Sequence, residues 1–464
     1  MLEVTPQGEF APANVLTSEP GMKSLLYSAY QNFQGQPNTK DIINISEVTT
    51  DMAINSGGNE NLYLTQFINF AWDPSISQLQ SVVWAPSYRV VRDANLVLEN
   101  IDNLKSADAV KLLYASEARF LRAMSYANLY SWYGPVPLRT SSAQEKNLIR
   151  ATDDEIKAFI EKELNECIAG LPDPGKEEVF GRATKGAALG TLAKFLLNTK
   201  QWQKAADASK RIIDLNYYQL YPVFKDMFKV ENEGNKEMIF VMPAKNEFDY
   251  GNWFAAGAMP PGFVSTPQLP EYKWIPGIQN FATQYRLRDE LVNTFAINDA
   301  RYVLVVRTYV NTAGATVDLR TTPNNTRSLK YFDNAAVSNA HGNDIPIIRY
   351  ADILLSRAEA LNEVNGVNAE SVSLLNLVRA RAGISAIALS NVTSKEVLRD
   401  MILRERGWEF ISEGIRREDL LRQDKFVSLA KARGIVNAKD LHVLFPIPQA
   451  EKDANTAIIQ NAGY

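Results

Sequence analysis

Long stretches of this chain repeat apolar residues at alternating intervals of three and four, the period of an α-helix with one buried face. The pattern predicts helices over Ser77–Leu104, Ala107–Ser131, Thr152–Ala169, Ala183–Leu215, Arg349–Glu363, Ala369–Ala382 and Ser394–Ile411. Within Arg349–Glu363, the residues Ala351, Leu354, Ala358 and Leu361 share one face, which must pack against a neighbour. Over Leu192–Leu215, small residues (Ala193, Ala205) fall where two helices cross, Trp202 follows the turn, and Ile212 and Ile213 close the second helix. That arrangement resembles a tetratricopeptide repeat, in which small side chains let two backbones approach closely. A second hairpin fits Ala351–Ala382, with Asn365-Gly366 as its turn.

Between Tyr217 and Ile348 the period changes. Short strand-like runs, Met238–Met242 and Val303–Val310, stand among segments rich in Pro, Gly and Asn. Loops on a rigid scaffold commonly carry recognition, so this region and the Thr49–Ser75 loop are the first places to look for a ligand site. The expected fold is all-α dominated: about four tetratricopeptide-like hairpins plus a smaller irregular lobe containing short strands. The expected divisions are an N-terminal part with helical hairpins and the first ligand loop (1–216), an irregular ligand-facing lobe (217–348) and C-terminal helical repeats (349–464), intertwined as one unit.

Composition narrows the function. With 464 residues and 46% hydrophobic content the chain can bury a large core. Its 49 Lys and Arg against 53 Asp and Glu give a net charge of -4, too balanced for a nucleic-acid partner. The single Cys167 precludes a disulfide framework and reads as a buried small hydrophobe. The two histidines, His341 and His442, lie in no catalytic or metal-binding motif. No run approaches the roughly 18 apolar residues of a membrane-spanning helix, and Met1-Leu2-Glu3 lacks secretory-signal features.

Three carboxylates, Glu405, Glu409 and Glu413, recur every fourth residue and could suggest acid–base chemistry. Glycoside hydrolysis, however, needs two carboxyls across a cleft, whereas these lie in a row beside Arg379, Arg381, Arg416 and Arg417. A structural Glu–Arg network is the expectation. The Asn55-Ser56-Gly57-Gly58-Asn59 run lacks a Walker lysine, and the spacing of Asp333, Asn343 and Asp344 matches no calcium loop. No catalytic residue, metal or cofactor is expected.

Several ordered segments resemble the SusD/RagB family of nutrient-binding outer-membrane lipoproteins of Bacteroidetes. They are LEVTP (Leu2–Pro6), SEARFLRAMSYANLYSWYGPVPL (Ser116–Leu138), YPVFKDMFKVENEGNKEMIFVMP (Tyr221–Pro243), TQYRLRDELVNTFAINDAR (Thr283–Arg301), RYADILLSRAEALNE (Arg349–Glu363), VRARAGI (Val378–Ile384), ERGWEFISEGIRREDLLRQ (Glu405–Gln423) and LFPIPQAEKDANTAIIQNAGY (Leu444–Tyr464). Gly407 departs from the family's usual second arginine.

The resemblance implies a non-enzymatic protein on the extracellular face of the outer membrane, anchored by a lipid upstream of Leu2. It would bind an oligosaccharide or polysaccharide and deliver it to a SusC-like TonB-dependent transporter. The alternative is peptide or protein capture of the RagB kind, or a structural lid of the importer. Sugars pack C–H faces on aromatic rings while amides and carboxylates bind their hydroxyls. In the first loop, Asp51, Asn69 and Trp72 combine these types, and the resemblance implies an acidic residue and a tryptophan there; the other reading of Trp72 is packing beneath the following helix, as for Trp84. The Asn246–Phe281 insertion, where the family places its other stacking rings, supplies Trp253, Tyr272 and Trp274, beside Phe254.

Overall fold

The computed structural model describes residues 16–34, 38–143, 147–281 and 285–464. The chain divides into two compact units. One draws on Met1–Gly35, Asp73–Leu192 and Leu444–Tyr464, the other on Gln36–Trp72 and Ala193–Val443.

In the first unit the helices Glu19–Gln34, Ala85–Asn100, Asp108–Tyr133 and Asp153–Cys167 enclose a core that includes Met22, Leu26, Ala94, Val97, Leu104, Tyr114 and Ala118. Local chemistry sets their ends. Thr152 and Glu155 form a reciprocal capping box at the start of Asp153–Cys167, and Gly134, at φ +72°, ends the 26-residue helix Asp108–Tyr133. A π-helical turn, Leu79–Trp84, leads into Ala85–Asn100 and buries Trp84 against Tyr88 and Tyr133. The C-terminal tail is sewn to this unit: Phe445 N–H donates to the Trp132 carbonyl at 2.7 Å, and the Asn461 amide donates to the carbonyls of Tyr133 and Phe445.

The second unit holds the helix Trp202–Ile213 and the hairpin read at Ala351–Ala382. The helix Trp202–Ile213 follows Lys185–Asn198, with Ala193, Ala205, Ala206 and Ala208 all buried. Tyr350–Asn365 and Ala369–Arg381 are joined through Gly366, at φ +72°. One expectation is too narrow: the helix Tyr350–Asn365 is buried from Ala351 to Asn362 without interruption, not on one face. It is surrounded by Trp202–Ile213, Ala369–Arg381 and Lys395–Glu409. Its polar residues are accommodated by pairing, as in Asp352–Arg406 at 2.8 Å and Glu359–Arg422 at 2.7 Å.

The irregular lobe belongs to the same unit as the helices that follow residue 348. Pairing ties them together: the strand Met238–Met242 lies antiparallel to Ile345–Arg349, and Arg349 then enters the helix Tyr350–Asn365. A four-stranded sheet runs in the order Leu269–Lys273, Phe263–Thr266, Thr308–Asn311, Thr316–Asp318. Ala53–Asn55 pairs with Tyr285–Leu287, and Val305–Val306 with Arg327–Ser328.

Beneath these strands lies the charge network. The carboxylates of Glu237, Asp299, Glu405, Glu409 and Glu413 meet the cations of Arg301, Lys330, Arg349, Arg379 and Arg381, with all but Arg379 nearly sealed from solvent. Arg379 and Arg381 serve as the sequence suggested. Arg416 and Arg417 do not: Arg416 pairs with Asp51, and Arg417 donates to the Val443 carbonyl. Arg301, Lys330 and Arg349, distant in sequence, take their place. Glu413 also lies beyond the end of the helix Lys395–Glu409, so the three carboxylates do not line one helix face.

Candidate ligand site

Residues 333–344 form a seam in the second unit to which two parts of the aromatic insertion attach. On one side Asn252 and His341 exchange backbone hydrogen bonds of 2.8 and 3.0 Å. That approach requires glycine: a Cβ at Gly251 would stand 2.1 Å from the Ala340 Cβ. The Asn252 side chain completes the joint, donating to the Asn343 carbonyl and accepting from Phe254 N–H. On the other side Gln279 N–H donates to the Ser338 carbonyl at 2.7 Å, and Lys273 N–H donates to Asn334 Oδ1. The seam therefore holds Trp253 and Trp274 at its two flanks, both half-buried.

A tight turn leads into Trp253. Lys245 N–H donates to the Tyr250 carbonyl, and Tyr250 N–H to that of Glu247. This closure projects Phe248 and Tyr250 outward, 59% and 54% exposed. The Phe248 ring lies 6.2 Å from that of Trp253, whose indole Nε1 is covered and has no hydrogen-bond partner among the described residues. Exposed Glu247 and Asp249 alternate with the two rings. Ile275 and Val337 add exposed apolar surface along the seam. Aromatic faces bordered by carboxylates are the chemistry a sugar chain requires.

The remaining candidates are placed differently. Trp72 is 3% exposed, its ring enclosed by Phe67, Phe70 and His442 at centroid distances of 5.7, 4.8 and 4.6 Å. Tyr272 is buried and stacked on Phe332 at 5.1 Å. Both rings are packed against protein, which for Trp72 is the other of the two readings its sequence position allows. Trp274 keeps a partly exposed ring, although its Nε1 donates to the Ile278 carbonyl. Asn69 is exposed at the end of the helix Asn61–Ile68, and its carbonyl accepts from Asn437. Asp51 is buried in a two-pronged pair with Arg416, at 2.8 and 2.7 Å. Burial alone would raise the Asp51 carboxyl, but the guanidinium outweighs it and holds the group below its ordinary value. Its carboxylate is thus engaged within the fold.

Sequence reasoning passed over Phe248 and Tyr250. The alternation Glu247-Phe248-Asp249-Tyr250 was the available signal: rings spaced by carboxylates in a loop have no core to enter.

Among the described residues no three His, Cys, Asp or Glu side chains gather as a metal site. Asp333 and Asp344 instead make internal bonds. The Asp333 carboxylate accepts from Gly342 and Ala335 N–H, and Asp344 accepts from Ala244 N–H at 2.9 Å. Burial pushes the Asp344 carboxyl up to about 7 and the His341 imidazole down to about 4. Cys167 is buried, its thiol pushed up to about 12 by that burial.

With the geometry described, two family models match the chain: one for the SusD family over residues 293–464, and one described as starch-binding associating with outer membrane over residues 2–197. A SusD-like protein of Formosa agariphila is 27% identical, the match spanning 84% of this chain and 81% of that protein. The chain is SusD-like, both its ends matching models of SusD-type proteins. The starch-binding protein SusD of Bacteroides thetaiotaomicron is 24% identical to it over 99% of this chain and 92% of its own length. Among solved structures, a laminarin-binding SusD-like protein aligns with a TM-score of 0.80 at 24% identity, covering 97% of this chain and 100% of that one. Surface glycan-binding protein A of B. thetaiotaomicron, solved with laminarihexaose, gives 0.77 at 21% identity over 96% and 100%. These structures share the helical SusD-like fold with this chain.

Proposed function

We propose that this SusD-like chain binds an oligosaccharide or polysaccharide at the cell surface and passes it, unbroken, to a SusC-like TonB-dependent importer. The observation that carries the reading is the exposed Phe248 and Tyr250 rings with half-buried Trp253 beside Phe248, edged by Glu247 and Asp249 and held by the Gly251–Ala340 approach. Those rings stack on sugar faces, and the carboxylates accept from hydroxyls. Trp274 and Ile275 extend the contact across the seam. Catalysis is absent from the reading because Glu405, Glu409 and Glu413 are sealed and neutralised by arginine and lysine. The likeness to SusD-type proteins supports placement on the extracellular face of the outer membrane through an N-terminal lipid, with the importer as partner.

Isothermal titration against a polysaccharide panel tests the reading. Laminarin and starch come first, because relatives and structural neighbours are described as binding them. At least one glycan is expected to bind, and Trp253→Ala, Phe248→Ala and Tyr250→Ala each to weaken it about tenfold, the scale of one lost stacking contact. No binding across the panel, or binding indifferent to all three changes, would refute it. Co-purification with a TonB-dependent barrel from the native outer membrane tests delivery; recovery from the soluble fraction alone would oppose it.

A further inference from the structure

The first unit contains a cavity unconnected with the rings just described. Its volume is about 390 Å³, within the range of small-molecule sites. It opens where the helix Ala85–Asn100 meets the stretch after Gly134 and the C-terminal tail. The wall is built and fixed: Tyr88 packs on buried Trp84 at 5.2 Å, and its hydroxyl donates to the Pro137 carbonyl at 2.8 Å. The backbone of Arg139 is clamped, its N–H donating to the Tyr126 hydroxyl at 2.6 Å and its carbonyl accepting from the Asn95 amide at 3.1 Å.

Charge distinguishes this cavity from a neutral sugar groove. Three arginines, Arg89, Arg92 and Arg139, line it against one lining carboxylate, Glu451, which accepts from Gln80 at 3.0 Å; a second carboxylate, Glu99, accepts from the N–H and hydroxyl of the lining Ser142. Arg92 is offset by Asp93 at 2.7 Å. Arg89 uses Nε on Asn32 Oδ1 at 2.8 Å, and its terminal nitrogens have no hydrogen-bond partner among the described residues. A guanidinium presents paired N–H groups matched to carboxylate or sulfate oxygens. Ser141 and Ser142 also line the cavity.

We infer that this cavity is a second binding site, specific for a sugar unit carrying an anionic substituent, a carboxylate or a sulfate ester, with the anion on Arg89 and the sugar ring against Tyr88. The site stands on the first unit and does not depend on the aromatic cluster at residues 248–253.

The test is isothermal titration of the whole chain with D-glucuronate and with D-glucose 6-sulfate, using D-glucose as the neutral control. Either anionic sugar, or both, binds at least about tenfold more tightly than glucose, and which of them binds identifies the substituent. Arg89→Gln weakens that binding about tenfold or more. Because Arg89 is exposed, the variant keeps the wild-type melting temperature. Trp253→Ala leaves this binding unchanged while weakening the stacking site, so failure of one site is read apart from failure of the other. The inference is overturned if glucose binds as well as the anionic sugars, if neither anionic sugar binds at about 10 mM, a weak-site ceiling, or if Arg89→Gln and Arg92→Gln both bind as wild type does.

Discussion

Replacing Arg349 by methionine tests the physical core of the second unit. The Arg349 guanidinium donates to Glu413 at 2.9 Å from both Nε and NH2, to Glu237 at 2.8 Å and Glu409 at 2.5 Å from NH1, and to the Glu409 carbonyl at 2.7 Å from NH2. It also lies 4.4 Å from the Phe410 ring centre. Methionine keeps the apolar stem and removes the charge. Five carboxylates then face four cations, and one buried negative charge is left uncompensated. Breaking one side of such an arrangement costs about 3–5 kcal/mol. Unfolding entropy is about 2 cal/mol/K per residue, so the melting temperature falls roughly 3–5 °C if the whole chain unfolds together, and further if the second unit unfolds alone. The assay is differential scanning calorimetry beside urea unfolding. Adding Glu237→Gln, which restores charge balance, should recover about 1–2 kcal/mol, a coupling typical of contacting groups. A melting temperature within about 1 °C of wild type, or above it, would refute the reasoning, since it would mean that solvation of the charges outweighs their attraction.

Four further outcomes follow from the same structure. Trp72→Ala should lower stability by about 3–5 kcal/mol, as for large core truncations, yet leave glycan affinity of the folded fraction unchanged; a selective affinity loss without destabilisation would return Trp72 to the ligand site. Asp344, raised to about 7 in the fold, holds a proton there that the unfolded chain gives up near its ordinary value of 3.8. Wild type should therefore lose about 2–4 kcal/mol relative to Asp344→Asn as pH rises through 4 to 7, and equal slopes in urea titrations at pH 5 and 8 would contradict this. Gly251→Ala drives a methyl into Ala340 and should cost about 1–3 kcal/mol together with glycan affinity, because the same joint carries Trp253. Gly434→Ala, where nothing lies within 4 Å of the added carbon, should cost about 1 kcal/mol through its φ of +84° alone.

The order of amino acids determined the helices and their hairpins, because apolar spacing and capping act within a few residues: Ala193, Ala205 and Gly366 sit where helix crossing and termination require them. It also carried the family, and with it the kind of ligand to seek. Tertiary structure alone decided which aromatic rings face solvent. Trp72 and Trp253 occupy similar polar, turn-rich stretches, and nothing within either stretch encodes whether His442 closes over the ring or a glycine joint leaves it beside open surface. It also decided that Asp51 meets Arg416 across 365 positions, and that Arg301 and Lys330, not Arg417, neutralise the glutamates. Spacing is local and legible, whereas the partner of a buried charge or ring comes from whichever distant segment the fold brings there.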